Sequence, residues 1–339
     1  MKIKKEEIKS ILGKVKSIAS TNKEFEKANT FTFTKDKIIV YTDEVAVIFP
    51  FKSEFSFTVL AEEFYGIVSD IKRKEIDITM SDNKLIFKAG KTKSELQCED
   101  SNTMEKYIDT LELEELKKKS IKLPEDFIGA LKLCIPASAN DSKITFLNCL
   151  HIDNNKIVSS DDLRISMYKM KDAIKGNFLI KSKDVRKLLG FDITKYYLGK
   201  SWICFSTDDD IVFALRLVED EFPDLEDNFK FQGGKVILPD EMKDSVKLVS
   251  NLAEGDSDLN RRIEVTILKD KIKLRGEKDI GWIEDYIPFD SKRDKDIKFS
   301  INPVFFLDIL GRTNIMKVGE DRAMFEVENF QHLVALFNE

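Results

Sequence analysis

Histidine is almost missing from this 339-residue chain: His151 and His332 are the only two, and both fall in segments that read as strands. With so little general-base or metal-ligand chemistry available, satisfied strand residues are the better reading of both. Cysteine is sparse as well. Cys98, Cys134, Cys149 and Cys204 lie far apart with no Cys-x-x-Cys pair, which is the wrong spacing for zinc and reads as reduced, buried thiols. The 14 glycines include no GxGxxG or GxxxxGK[ST] frame; Gly233-Gly234 precedes a strand without forming a phosphate cradle. Nothing matches a nucleophile elbow or a metalloprotease helix. The acid clusters Asp161-Asp162 and Asp208-Asp209-Asp210 fall at turns, where solvated carboxylates are commoner than magnesium ligands. The expectation is a protein that is not an enzyme and needs neither cofactor nor metal.

An excess of positive charge is also absent. The net charge of −6 excludes a generally basic nucleic-acid binder, though not a basic surface confined to one face. No apolar run approaches the roughly 20 residues that span a bilayer, so no membrane association is expected. Residues 1–7, Met-Lys-Ile-Lys-Lys-Glu-Glu, lack an apolar h-region and carry acids; they do not read as a signal peptide, and a cytoplasmic location is expected.

What the chain does have is repetition. With 42% hydrophobic residues and 25 phenylalanines it has ample apolar surface to bury, and that surface recurs six times. Helix anchors Ile8, Phe64, Phe127, Val185, Met242 and Phe305 follow one another at intervals of 56 to 63 residues. Four residues beyond each stands another apolar residue: Leu12, Val68, Leu131, Leu189, Val246 and Ile309. Between helices the period switches to two, with strands meeting at Asp/Asn/Lys turns such as Ser81-Asp82-Asn83-Lys84, Asp153-Asn154-Asn155 and Lys269-Asp270. Such turns favour residues tolerant of positive φ. The fold class is α+β, with antiparallel sheets carrying helices on one side. Pairing the six units gives three domains of about 115 residues, 1–115, 116–232 and 233–339, a size ordinary for one domain. The joints are placed at the charged stretch 112–120 and at Gly233-Gly234.

Helices are expected over 5–19, 60–74, 124–134, 182–191, 239–252 and 302–313, with Pro124 and Pro239 at first helical positions followed by acids. These spans sum to a small positive charge while the rest of the chain is acidic. Lys9, Lys14, Lys16, Lys72, Arg73, Lys74, Lys183, Arg186, Lys187, Lys247 and Arg312 are the candidates for a basic helical layer. A solvated helix face is the plainer reading on charge alone.

Several stretches, in order, resemble one family. Phe146-Leu147-Asn148 precedes the strand at 149–152; Ser160-Asp161-Asp162-Leu163-Arg164-Ile165 resembles a Thr-Asp-Gly-His-Arg-Leu motif; Glu221-Phe222-Pro223-Asp224-Leu225 resembles Phe-Pro-Asp-Tyr; and Phe305-Phe306-Leu307-Asp308-Ile309-Leu310 resembles Tyr-Val-Leu-Asp-Val-Leu. Together they resemble the bacterial-type DNA sliding clamp, the β subunit of the replicative DNA polymerase III holoenzyme, over the whole chain.

The resemblance implies the DNA clamp fold, a homodimeric ring lined by helices with sheets outside, and double-stranded DNA held without sequence preference. Partner peptides of the polymerase and clamp loader would dock in a cleft between domains two and three. By position its wall is Leu147, Ser160, Leu163, Arg164, Ile165, Pro223, Asn302, Phe305, Met324, Val334 and Leu336. Ile165, Val334 and Leu336 equally suit a strand core, and Arg164 is placed to meet a peptide carbonyl or carboxylate. Lys23, Lys143 and Phe146 are implied DNA contacts on loops, beside the helical lysines and arginines. Asn251-Leu252 stands where the family has an apolar pair that helps close the ring. Further departures are Asp162 for glycine, Leu163 for histidine, and Asp227-Asn228 for a basic and an apolar residue. The alternative is a clamp-fold protein that binds such peptides without encircling DNA.

Overall fold

The computed structural model describes residues 1–19, 28–290 and 295–337. Among these are eight α-helices: α1 (Lys5–Lys16), α2 (Ala61–Asp70), α3 (Asn102–Asp109), α4 (Leu113–Lys119), α5 (Phe127–Cys134), α6 (Ser182–Leu188), α7 (Met242–Val249) and α8 (Pro303–Leu310). Six of them carry the repeated anchors. Ile8, Phe64, Phe127, Val185 and Met242 are fully buried and Phe305 nearly so. The residues four further on are buried too, except Leu189, which caps α6 and is half-buried.

The helices are shorter than the periodicity predicts. Pro124 and Pro239 stand three residues ahead of α5 and α7, in the entering turns and not at first helical positions; Met242 N–H donates to the Pro239 carbonyl at 3.1 Å. The Asp126 carboxylate is drawn outward to Lys171 N–H at 3.0 Å, so the α5 ladder opens only with Ala130 N–H to the Asp126 carbonyl. The helix that does begin on proline is α8. Asn302 ahead of it is extended, as a residue before proline prefers, and its Oδ1 accepts from Val304 N–H at 2.9 Å while its Nδ2 donates to Asp258 O at 2.8 Å. Removing a capping side chain costs about 0.5–2 kcal/mol. Asn302 also ties down a second segment, so Asn302→Ala is expected at the upper end, about 2 kcal/mol in urea unfolding; a change below about 0.5 kcal/mol would contradict the cap.

The chain forms two compact units, residues 1–125 with 180–219 and residues 126–179 with 220–339. In unit one, strands pair antiparallel in the order Ile121–Lys122, Ile193–Leu198, Trp202–Thr207, Val212–Val218, Val45–Pro50, Lys37–Tyr41, Thr30–Phe33. Unit two repeats it strand for strand: Gly234–Ile237, Ile315–Val318, Arg322–Val327, Phe330–Ala335, Arg164–Lys169, Lys156–Ser160, Cys149–Asp153. The registers coincide as well, with Tyr41 opposite Ala46 in one and Ser160 opposite Ile165 in the other. Each unit adds a four-stranded sheet. One runs Lys2–Lys4, Glu75–Ser81, Lys84–Ala89, Thr92–Gln97; the other Gly281–Pro288, Lys271–Lys278, Ile263–Ile267, Ile297–Ile301.

Turn chemistry follows the sequence. Asp82 and Asn83 both have positive φ, 47° and 60°, the two-residue hairpin geometry that matches strand twist. In unit one a phenylalanine cluster locks α2 to the sheet, with Phe64 5.3 Å from Phe33 and 5.4 Å from Phe87.

Helices α3 and α4 were not legible in the sequence; the stretch read as a joint is largely α4. Glu112, at φ 53°, separates the two. Met104 and Ile108 of α3, Leu111 of the turn between the two helices and Leu116 of α4 pack on Ile39, Tyr41, Ala46, Ile48, Trp202 and Cys204. This closes the outer face of unit one's large sheet, and burial on both faces explains why its strands show no alternation.

Candidate functional site

The corresponding outer face of unit two is covered more thinly. Ile165 lies opposite Leu333, and Leu333 opposite Met324, so all three side chains share one face. Phe229 completes that cluster, with Leu225, Phe231, Val158 and Met167 packed around it. The cover is one 3₁₀ turn, Glu226–Phe229. Beside it a cavity of about 260 Å³ has a floor of Val158, Met167 and Phe229 and walls of His151, Phe222, Pro223 and Leu225, with Asp153, Lys156, Asp224 and Glu226 as its charged groups. A hollow of about 680 Å³ adjoins it, sharing Lys156, Met167 and Glu226; Lys156 and Glu226 form an ion pair between the two. Phe222 stacks on His151 at 4.8 Å and meets Phe146 edge-on at 5.6 Å. His151 Nε2 is hydrogen-bonded to Asn177 Oδ1 at 2.8 Å, which fixes the aromatic wall.

Arg164 turns to the opposite, helix-facing side. Its guanidinium lies 3.8 Å over the Phe305 ring, pairs with Asp161 Oδ2 at 2.8 Å through Nη2 and at 2.9 Å through Nε, and reaches Asp308 Oδ2 at 3.2 Å. Asp161 also accepts from the backbone N–H groups of Leu163 and Arg164. The charge expected to meet a peptide is therefore engaged within the chain. Val334 pairs with Arg164 and shares its side. Beyond them Ser166 Oγ and His332 Nδ1 are 2.8 Å apart. Burial first, then the neighbouring Arg164 and Arg312, hold His332 down to a pKa of about 3, so it is neutral.

The other cleft candidates divide in the same way. Ser160 shares the face of Ile165, and its Oγ accepts from Asp162 N–H. Pro223 is exposed on the cavity wall. Asn302 caps α8 and Phe305 lies within it, on the Arg164 side. Leu147 is buried in the turn Thr145–Asn148, Leu163 is half-buried with its carbonyl accepting from Ala335 N–H, and Leu336 is buried beyond the last strand, donating to Asp321 O. Asp162 adopts φ 78°, the conformation glycine takes most easily. Sequence reasoning missed Leu333, Phe229 and Leu225. In Leu333-Val334-Ala335-Leu336 both parities are apolar, so nothing local marks which face is which.

Of the basic candidates, Lys14, Lys72, Arg73, Lys74, Lys143, Lys183, Arg186, Lys247 and Arg312 are exposed, while Lys9, Lys16 and Lys187 are half-buried; Lys23 lies outside the described residues. Lys16 sits 4.9 Å over the Tyr65 ring. On α6 the charge is partly cancelled: Lys183 pairs with Glu44 at 2.8 Å and Lys187 with Asp184 at 3.0 Å. Burial pushes Glu44 up, but hydrogen bonds from Lys181 and Lys183 outweigh it and hold the carboxyl low. Asn251 is exposed in the turn after α7, its Nδ2 donating to Leu248 O at 2.8 Å, and Leu252 is half-buried.

All four cysteines are buried thiols, and burial pushes Cys204 up to about 12. Among the described residues no group of three or more His, Cys, Asp or Glu could hold a metal ion, and no helix is long and apolar enough to cross a membrane.

No family model matches the chain, and no curated protein matches it in sequence. Solved structures do match. The DNA polymerase III subunit beta of Pseudomonas aeruginosa superposes at a TM-score of 0.82 with 16% identity, covering 100% of both chains. The beta chain from Streptococcus pneumoniae does so at 0.83 with 15% identity, over 100% of this chain and 99% of that one. The Helicobacter pylori beta clamp, bound to a DNA ligase peptide, superposes at 0.81 with 14% identity and the same coverage. The chain thus has the β-clamp fold along its whole length.

Proposed function

We propose that this protein is a DNA sliding clamp, a non-catalytic processivity factor that encircles duplex DNA as a head-to-tail homodimer of three-domain chains (1–115, 116–232, 233–339). The observation that carries the reading is the end-to-end β-clamp fold, built here from a sheet whose strand order and register occur twice. Ring closure is supported by two exposed sheet edges. The four-stranded sheet of unit one ends on Thr92–Gln97 and that of unit two on Gly281–Pro288, each with a row of backbone groups open to a further strand. A heterologous contact between such edges generates a closed ring when its rotation closes.

The helical lysines and arginines, with Lys143 and Phe146 on their turn, would face DNA. A modest charge suits sliding, because phosphate contacts hold without reading sequence and strong ones would slow movement. The outer groove of unit two would recruit the polymerase and the clamp loader, as a concave apolar site with a few polar groups can. A peptide-bound clamp among the structural neighbours supports that use of the fold.

Light scattering at micromolar concentration should give a species of twice the 39.1 kDa chain mass. The protein should stay on nicked circular DNA and be released when the circle is cut. A monomer that is not retained overturns the ring.

A further inference from the structure

The large sheets of the two units share one strand order, and one difference between them concerns the partner. In unit one the outer face is filled by the chain itself. Helix α3 and the turn after it lay Met104, Ile108 and Leu111 on the sheet, each almost fully buried. Their spacing of four and then three residues is that of one helix face. The same place in unit two carries the shorter, non-α-helical segment 225–231, with Phe229 buried on the cluster and Leu225 and Phe231 partly so, and leaves the cavity beside Val158, Met167 and Phe229 open.

The rim of that cavity is acidic. Asp153, Asp224 and Glu226 border it against one cation, Lys156, which Glu226 already engages. The segment that forms the wall, Glu219-Asp220-Glu221-Phe222-Pro223-Asp224-Leu225-Glu226-Asp227, is dominated by carboxylates. An apolar floor inside an anionic rim repels an acidic peptide and attracts a basic one.

We propose that this groove takes a short peptide of a partner protein whose apolar anchors, spaced as on one helix face, are flanked by lysine or arginine. The proposal rests on the clamp reading for the identity of the partner, but its chemistry stands on the groove alone. Helix α3 is the internal counterpart that shows which shape fits the sheet. The acids on the rim set the sign of charge the outside ligand must carry.

The test uses fluorescence anisotropy on the full-length protein with two labelled synthetic peptides. Both carry Met, Ile and Leu anchors at the α3 spacing; one is flanked by lysines and the other by glutamates. Two rim charges, Asp153 and Asp224, stand outside the Lys156–Glu226 ion pair and set a preference of roughly fivefold. The lysine peptide is expected to bind at least about fivefold more tightly, with the margin shrinking as salt rises because the rim is exposed. In D153N/D224N the margin should fall to about twofold or less. An amide in place of the Asp224 carboxylate would keep the acceptor that Asp224 Oδ1 offers Glu226 N–H at 2.9 Å, so the turn survives. Equal affinity for the two peptides, tighter binding of the glutamate peptide, no binding of either, or a margin unmoved in the double variant overturns the proposal. Retention on circular DNA is scored separately. A retained protein that binds neither peptide loses the groove alone, and an unretained protein that prefers the lysine peptide loses the ring alone.

Discussion

Asp161→Ala is expected to lower the unfolding free energy by roughly 3 kcal/mol, measured by urea titration at neutral pH. The Arg164 side chain is only 9% exposed and that of Asp161 only 4%, so the change strands a buried guanidinium. Removing one partner of a buried pair costs about 3–5 kcal/mol, most of it the penalty of the charge left behind. The lower end applies because Asp308 remains at 3.2 Å, although its side chain is about half exposed and screened. Losing the acceptor for the Leu163 and Arg164 N–H groups adds to the effect. Asp161→Asn keeps those turn bonds and removes the charge, so it should fall between wild type and Asp161→Ala. The double variant with Arg164→Met should recover part of the loss, because the stranded charge is gone and a long side chain still covers Phe305. A loss under about 1 kcal/mol for Asp161→Ala would mean that the guanidinium finds water or another partner.

The second large effect is in acid. His332 titrates near 6.5 when unfolded and at about 3 when folded. Above pH 6.5 both states are neutral and the residue contributes no pH dependence. As pH falls below 6.5 the unfolded chain binds a proton that the native core refuses, so stability declines progressively until about pH 3. Between pH 7 and pH 5 this amounts to about 2 kcal/mol, from 1.36 kcal/mol per pH unit less the half-titrated region. The physical cause is burial, with Arg164 and Arg312 adding repulsion. His332→Asn retains a group able to meet Ser166 Oγ but cannot titrate; its stability should change by less than about 0.5 kcal/mol over the same interval. A wild type that is equally stable at pH 7 and pH 5 would show that His332 is not held neutral.

These two predictions involve residues that the sequence placed differently. Arg164 read as a groove arginine, yet the fold gives its charge to Asp161, three residues away, and to Asp308, far along the chain. Only the first partner was within reach of local reasoning. His332 read as a satisfied strand residue; its Nδ1 is satisfied, whereas Nε2 is buried among the described residues without a hydrogen-bond partner. That follows from which strands flank it, and strand neighbours are not written in a strand's own residues.

By itself the sequence determined the repeated unit, the six buried helix anchors, the hairpin turns and the α+β class. Each depends on a hydrophobic period or a turn conformation that spans only a few residues. The tertiary structure decided which side of each strand faces the helices, because stretches such as Leu333-Val334-Ala335-Leu336 are apolar at both parities and a shift of one residue exchanges the faces. It also decided that residues 102–119 fold back as α3 and α4 over one sheet while residues 219–231 leave the equivalent sheet partly open. Both segments are rich in charge, and their conformation is set by the surface they cover. The open groove is therefore a property of two sheets with the same strand order and unequal covers, and that comparison exists only once the chain has folded.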